Sequence, residues 1–182
     1  MSVGPVRQIL QHRHAHLADS GLSWTASHVP VAHDMAGADR FENLIAWQRA
    51  HELHVEVWRA TNGPPASRDL RFRDQIRDAS ESAERNVAEG FGRFNPGQFA
   101  HFLDISRAST LETKTLLKKG LDVGYWNMEQ SSRLDSLADR ALQSIAKFQR
   151  YLRSPQAKRN AARRYRQNDP NGSNDSNDPN VR

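Results

Sequence analysis

Three short segments carry residue types that could perform chemistry. His51-Glu52-Leu53-His54 has the residues of a zinc-protease motif. His12-Arg13-His14-Ala15-His16 places two histidines at i,i+4 spacing, which would put them on one face of a helix as metal ligands. The segment from Gly90 to Gly97 is rich in glycine, as phosphate-binding loops are. The corresponding activities would be metal-dependent hydrolysis, metal binding and nucleotide binding.

Each of these segments lacks the partners that its chemistry requires. The zinc motif needs histidines at i,i+4 around the glutamate, whereas His51 and His54 are at i,i+3 with no third ligand in sight. The histidine-rich segment has no acidic or thiol partner nearby, which is typical of a solvated arm. The glycine-rich segment follows a helical pattern instead of a strand and lacks the Lys-Ser/Thr pair. We therefore predict no enzymatic activity, no metal and no cofactor.

The same segments have structural interpretations. His51 falls on a predicted apolar stripe and is expected to be a core or interface histidine. Gly90 and Gly92 are expected to form a hinge between two helices, with unusual backbone angles at one of them. Asn86 and Glu89, one helical turn apart, are expected to cap and tie that hinge.

Composition limits the class of protein. The 182 residues include no cysteine, which removes disulfides and thiolate ligands. No apolar run approaches the ~18 residues of a membrane span, and the N-terminus lacks the apolar stretch of a secretory signal. A soluble, cytoplasmic protein is expected. The net charge of +5 is concentrated late in the chain, where residues 154–182 hold six basic against three acidic residues.

Apolar residues spaced three or four apart predict four helices. The first should run from about Leu44 to Thr61 and end at Asn62-Gly63-Pro64-Pro65. The second should begin with Ser67 as its N-cap and end near Gly90 to Gly92. Large aromatic side chains are expected to fill the centre: Trp47, Trp58, Phe72, Phe99, Phe102 and Phe148.

Capping residues define the other two helices. Asn95 followed by Pro96 is a strong start for the third helix, and Gly124 is well placed to end it. Asn127 is expected to cap the fourth helix, which should close at Ser154-Pro155. Four helices joined by short loops predict an all-α, antiparallel, up-down four-helix bundle with disordered N- and C-terminal tails.

The predicted bundle occupies residues 39–154. Residues 1–38 are expected to be a flexible extension, with Met35 as an alternative start. Residues 155–182 are expected to be a tail that is first basic and then of low complexity. The basic run Lys158 to Arg166 could be solvated and disordered, could extend the last helix, or could be a phosphate-binding arm.

Three segments in this order resemble the family of 23S rRNA intervening-sequence proteins, also called four-helix bundle proteins. They are FENLIAWQRAHELHVEVWRAT, then QIRDASESAERNVAEGFGR, then FAHFLDISRASTLETKTLL followed by DVGYW. The part from Asn86 to Arg93 resembles the hallmark segment of the family and is the most specific. One departure is visible, since Ala83 and Glu84 stand where relatives usually have an apolar residue followed by proline. The second helix should therefore run straighter.

The resemblance implies a homo-oligomer, since relatives form barrel-shaped pentamers, and a link to RNA. Some relatives are encoded within rRNA genes, and others are accessory proteins of diversity-generating retroelements. Direct RNA or other nucleic-acid binding is the first expectation. Docking of a partner such as a reverse transcriptase, without nucleic-acid contact, is the alternative, and a passenger protein with no cellular task is a third.

Nucleic-acid binding requires a positive surface. Arginines crowd the start of the second helix, but interleaved aspartates could neutralise them through i,i+4 pairs. The lysines of the third helix are expected to form a less diluted patch, and a pentamer would repeat any patch five times. The candidate nucleic-acid-binding residues are Arg68, Arg71, Arg73, Arg77, Arg93, Arg107, Lys114, Lys118 and Lys119.

Overall fold

The computed structural model describes residue 38, residues 40–93 and residues 95–167, and these ranges contain helices and no strand. The five α-helices are α1 (Ile45–Thr61), α2 (Leu70–Phe91), α3 (Pro96–Asp122), α4 (Met128–Leu152) and α5 (Pro155–Gln167). Single 3-10 turns, Phe41–Asn43 and Ala66–Arg68, precede α1 and α2. The predicted all-α class is confirmed.

Each of the helices α1 to α3 packs against the next helix in the chain, and α1 also contacts α4. The buried apolar residues form two clusters. One joins the end of α1 and the start of α2 to the end of α3 and the start of α4. The other joins the opposite ends of the same helices. This distribution supports the predicted up-down course, which stays a prediction.

Local capping signals account for most helix boundaries. The Asn95 side chain accepts hydrogen bonds from the amides of Gly97 and Gln98, and Pro96 is the first residue of α3, as predicted. Asn127 caps α4 through the amide of Gln130. Gly124 has a φ of +77°, which lets the Tyr125 amide donate to the Gly120 carbonyl and end α3.

Helix α2 begins two residues later than its sequence suggests. Asp69, not Ser67, is the N-cap, and its carboxylate accepts a hydrogen bond from the Phe72 amide at 3.0 Å. The same carboxylate accepts from the Tyr125 hydroxyl at 2.5 Å, which lowers the pKa of Asp69 and raises that of Tyr125. Ser67 instead lies in the preceding 3-10 turn. Helix α2 then runs without interruption to Phe91.

The prediction that Trp47 and Trp58 fill the centre of the bundle was wrong. Trp58 is 44% exposed and Trp47 only partly buried, because both rings lie on the flank of the helix and contact side chains there. The residues that enter the core are smaller: Ala46, Ala50, Leu53, Val57 and Thr61. Among the tryptophans that the structure describes, the buried one is Trp126, 5% exposed, whose indole N–H donates to the Leu117 carbonyl at 3.1 Å. Phe102 is likewise only partly buried.

Residues 155–167 form a helix where the sequence predicts the start of a tail. A turn at Arg153 and Ser154 separates α5 from α4, so α5 is not an extension of α4. Ala157 is buried, and α5 contacts both α4 and α3. The predicted low-complexity segment after residue 167, and the N-terminal extension before residue 38 with its histidines and Met35, lie outside the described residues.

Candidate nucleic-acid interface

Only part of the arginine cluster at the start of α2 keeps an uncompensated charge. Arg68 and Arg71 are exposed and form no ion pair with any described residue. Arg73 pairs with Asp74 at 2.8 Å. The Arg77 guanidinium lies 3.8 Å from the centre of the Trp58 ring and donates to Thr61 Oγ1 at 2.8 Å. Burial lowers the pKa of Arg77.

The predicted lysine patch on α3 is largely neutralised. Lys114 is hydrogen-bonded to Asp139 and lies 3.2 Å from Asp135, and the bond to Asp139 is the main cause that raises the pKa of Lys114. Both aspartates belong to α4, so the sequence of α3 gives no sign of them. Lys118 pairs with Asp122 at 3.5 Å, and Lys119 lies 5.8 Å from the centre of the Phe72 ring.

Of the two other candidate arginines, one is ion-paired and the other is not. Arg93 pairs with Glu89 at 2.9 Å, and its guanidinium lies 4.9 Å from the centre of the Phe102 ring. Arg107 is exposed and makes no ion pair within the described ranges. Four of the predicted residues are thus exposed and form no ion pair with a described residue: Arg68, Arg71, Arg107 and Lys119.

The segment from Asn86 to Gly92 allows α2 and α3 to pack closely against each other. Neither glycine has a positive φ, so unusual backbone angles were the wrong reason for them. A Cβ on Gly90 would lie 2.7 Å from Cε2 of Phe99 and 2.9 Å from Cβ of Phe102, so only glycine lets the start of α3 pack against α2 here. Glu89 near the end of α2 accepts a hydrogen bond from Arg93 at 2.9 Å.

Asn86 does not cap the hinge. Its amide donates to the carbonyl of Ser82 at 2.7 Å, one turn back along α2, and the Ser82 hydroxyl lies 2.9 Å from that of Ser109 on α3. Nearby, the Ser106 hydroxyl donates to the Ala83 carbonyl at 2.7 Å. Asn86 therefore belongs to a row of small polar residues along which α2 and α3 approach closely.

A group of exposed cations lies near the end of α4 and in α5. Between Asp139 and Asp169 the chain has nine basic and no acidic residues. Arg140 and Arg153 are ion-paired, with Glu52 at 3.5 Å and Asp104 at 2.7 Å. Five others are exposed without an ion pair to any described residue, and we call them the cationic end: Lys147, Arg150, Lys158, Arg159 and Arg163.

The cationic end is held in place by specific contacts. The Arg153–Asp104 ion pair and a hydrogen bond from Gln149 to the Ala100 carbonyl, 3.2 Å long, fasten the end of α4 to α3. The Ser154 hydroxyl accepts from the Ala157 amide at 3.3 Å, and the Asn160 side chain donates to the Tyr151 hydroxyl at 3.1 Å. These contacts fix the start of α5 beside the end of α4, the helix that carries Lys147 and Arg150.

The sequence indicates this surface, but charge totals taken over longer segments hide it. The 29 residues after Asp139 carry no carboxylate, so no local i,i+4 pairing is possible there. Lys147 and Arg150 were missed because they were counted with the nearly neutral bundle. The last turns of a helix also favour cations, because unpaired carbonyls give that end a partial negative charge.

A second polar cluster, between α1 and α2, contains both histidines of the His51–His54 segment. The His51 Nδ1 lies 2.6 Å from Glu84, and the ring stacks on Trp47 with centres 4.7 Å apart. The His54 Nδ1 lies 3.0 Å from the hydroxyl of Ser80, and burial lowers the pKa of His54. Ser80 is 0% exposed and donates to the Arg77 carbonyl, so no substrate could reach it as a nucleophile.

Within the described ranges, no three histidine, aspartate or glutamate side chains lie close enough together to hold a metal ion. None of the described helices is long and apolar enough to cross a membrane. A family model described as 23S rRNA-intervening sequence protein matches residues 42–147, which covers α1, α2, α3 and most of α4. A search of curated proteins finds no match.

Proposed function

Because the chain belongs to the 23S rRNA-intervening sequence protein family, we propose that it is a non-enzymatic protein that binds structured RNA through the cationic end. The observation that carries the proposal is the exposure of five cations there without a compensating acid. Arg68, Arg71 and Arg107 are proposed as weaker, secondary phosphate contacts. The ion-paired candidates Arg73, Arg93, Lys114 and Lys118 are expected to contribute little to phosphate binding.

Phosphate binding depends on cations that can exchange small counterions for phosphate oxygens. A cation that is ion-paired within the protein must leave or share its carboxylate before it binds phosphate. An unpaired surface cation has no such ion pair to break. Each phosphate neutralised contributes about −0.9 to the slope of log affinity against log salt on a duplex. Three cations of α5 should therefore account for a slope of about −2 to −3.

We also propose that the protein acts as a homo-oligomer, with a pentamer as the expected form. Exposed apolar side chains on the outside of the bundle support an interface, among them Ile105 at 38% and Leu111 at 43% exposure. A closed ring would present the cationic end once per protomer and multiply the local positive potential. Native mass spectrometry should give about five times the 20.7 kDa of the chain. A monomer at micromolar concentration would contradict this.

The RNA-binding proposal is tested with two triple variants of equal charge. The first is Lys158→Gln, Arg159→Gln, Arg163→Gln. The control is Arg85→Gln, Lys118→Gln, Arg133→Gln, which removes three exposed cations that are ion-paired in the structure. Affinity for a structured RNA is measured from about 50 to 200 mM salt. We expect the first variant to bind at least tenfold more weakly at low salt with a flatter slope, and the control to change affinity by less than about threefold.

Equal losses in the two variants would mean that total charge matters and the cationic end does not. Wild-type affinity that barely changes with salt would mean that phosphate contacts do not drive binding. Either result would overturn the assignment of the interface.

A protein-docking role is a second proposal, favoured by an apolar tip at the other end of the bundle. Leu70, Val123 and Met128 are 58%, 52% and 69% exposed. Leu70 begins α2, whereas Val123 and Met128 flank the α3–α4 loop, which the Tyr125–Asp69 hydrogen bond joins to the start of α2. A reverse transcriptase is the partner to test first. A neighbouring gene for that enzyme with template repeats would favour docking, and a location within an rRNA gene would favour the intervening-sequence role.

A further inference from the structure

A shallow pocket of about 400 Å³ lies between the end of α2 and the start of α3. Its lining residues are Arg93, Gly97, Gln98, His101 and Phe102. The volume lies within the range of sites for small ligands, about 300–1,000 Å³. The pocket lies at the same end of the bundle as the cationic end, because its neighbour Ala100 is hydrogen-bonded to Gln149 near the end of α4.

The charges in the pocket argue against an inorganic anion as its ligand. The amides of Gly97 and Gln98 at the start of α3 are already hydrogen-bonded to Asn95, so they are not available to an anion. The Arg93 charge is balanced by Glu89, 2.9 Å away. The pocket therefore has little net charge, in contrast to the cationic end.

The shape and chemistry of the lining fit a flat, polar-edged aromatic group. The Arg93 guanidinium lies over the Phe102 ring, 4.9 Å from its centre, and Arg93 is exposed while Phe102 is partly buried. Aromatic rings and guanidinium planes are the surfaces on which unpaired nucleobases stack. Gln98 and His101 are exposed at the rim and offer donors and acceptors for the edge of a base.

The framework around the pocket is rigid. Gly90 allows Phe99 and Phe102 to pack directly against α2, and Phe99 is 2% exposed with its ring 5.0 Å from that of Phe148. Glu89 holds Arg93 through an ion pair at 2.9 Å. The stacking surface is thus formed before a ligand arrives, which reduces the entropy cost of binding.

We infer that this pocket stacks one unpaired nucleobase of the RNA, an inference that rests on the RNA-binding function proposed above. The cationic end binds phosphates regardless of sequence or pairing. The pocket adds a preference for RNA in which an unpaired nucleotide lies next to a helix, such as a loop or a bulge.

The test compares two RNAs with the same number of phosphates, a hairpin with 2-aminopurine in its loop and a fully paired duplex. Variants are Phe102→Leu, which keeps apolar packing without an aromatic ring, and Arg93→Lys, which keeps the charge without the plane. Phe41→Leu is the matched control, since Phe41 is a partly buried phenylalanine outside the pocket. Urea unfolding confirms that each variant is folded.

For the wild type and Phe41→Leu we expect about tenfold tighter binding of the hairpin than of the duplex, with quenching of the 2-aminopurine fluorescence. Phe102→Leu and Arg93→Lys should lose most of this preference and the quenching, while duplex affinity and its salt dependence remain. Equal wild-type affinity for both RNAs without quenching would overturn the inference and leave the proposed function standing. Full preference retained in Arg93→Lys would also overturn it. Failure to bind either RNA would overturn both.

Discussion

Replacement of Gly90 by alanine should destabilise the protein, although the same change usually stabilises a helix. In an exposed helix interior, alanine is favoured over glycine by about 1 kcal/mol. Here the new Cβ would lie 2.7 Å from Cε2 of Phe99 and 2.9 Å from Cβ of Phe102, which is closer than carbon atoms pack. The Phe99 ring cannot swing away, because it is 2% exposed and wedged against Phe148.

The magnitude follows from these two opposing terms. Overpacking of a core by one methyl group costs about 1–3 kcal/mol, because side chains must leave their preferred rotamers or the helices must move apart. After the propensity gain of about 1 kcal/mol is subtracted, the free energy of unfolding should fall by about 1 kcal/mol. Because Phe102 lines the pocket, the preference for looped RNA should decrease as well.

Gly92→Ala is the matched control for this prediction. Gly92 has a φ of −68°, and a Cβ there would meet only the Glu89 carbonyl oxygen at 3.4 Å. Its effect on stability should stay within about 0.5 kcal/mol. Urea unfolding followed by circular dichroism gives both values from the transition midpoints. A Gly90→Ala protein as stable as the wild type, or more stable, would refute the close-packing explanation of this glycine.

Three further predictions concern the bundle. Trp126→Ala should lower the free energy of unfolding by about 3–5 kcal/mol, because its ring is buried. Trp58→Ala should lower it by about 1 kcal/mol, because that ring is 44% exposed. A larger drop of the urea midpoint in Trp58→Ala than in Trp126→Ala would contradict this. Asp69→Ala should lower the urea midpoint, whereas Ser67→Ala should leave it nearly unchanged, because only Asp69 caps α2. Burial lowers the pKa of His54 in the folded protein, so the unfolded chain takes up the proton at a higher pH than the folded protein does. The free energy of unfolding should therefore fall as the pH drops through about 6.5. His54→Gln should flatten that part of the curve, as measured by urea unfolding from pH 7.5 to 5.5.

The helix boundaries were accessible from the sequence because caps are local. Asn95 with Pro96, Gly124 and Asn127 each act within one turn of the backbone, so their identity and position suffice to predict their role. The second helix shows the limit of this reasoning. Ser67 and Asp69 are both good N-cap residues, and the choice depends on Tyr125, 56 positions later in the chain, which shares the Asp69 carboxylate.

The errors on the face of α1 and on the lysine patch share a physical cause. A large aromatic side chain can stabilise the flank of a helix as well as the core. Trp58 was predicted to be central because of its size alone, whereas its ring lies on the flank under Arg77 of α2. The charge of Lys114 is compensated by two aspartates of α4, and no pattern within α3 contains that information. Such contacts between helices decide which charges remain available for binding.

The separation of the two candidate surfaces bears on how the proposed functions relate. Met128 of the apolar tip and Leu152 beside the cationic end are the first and last residues of α4, so about 36 Å of helix lies between them. In a cyclic oligomer every protomer is related to the next by rotation about one axis. With the bundles along that axis, all cationic ends would lie on one rim of the ring and all apolar tips on the other. RNA binding and protein docking would then use opposite rims and could occur together, so a variant that loses one should keep the other. Loss of both on neutralising Lys158, Arg159 and Arg163 would mean instead that the partner protein is recruited through RNA.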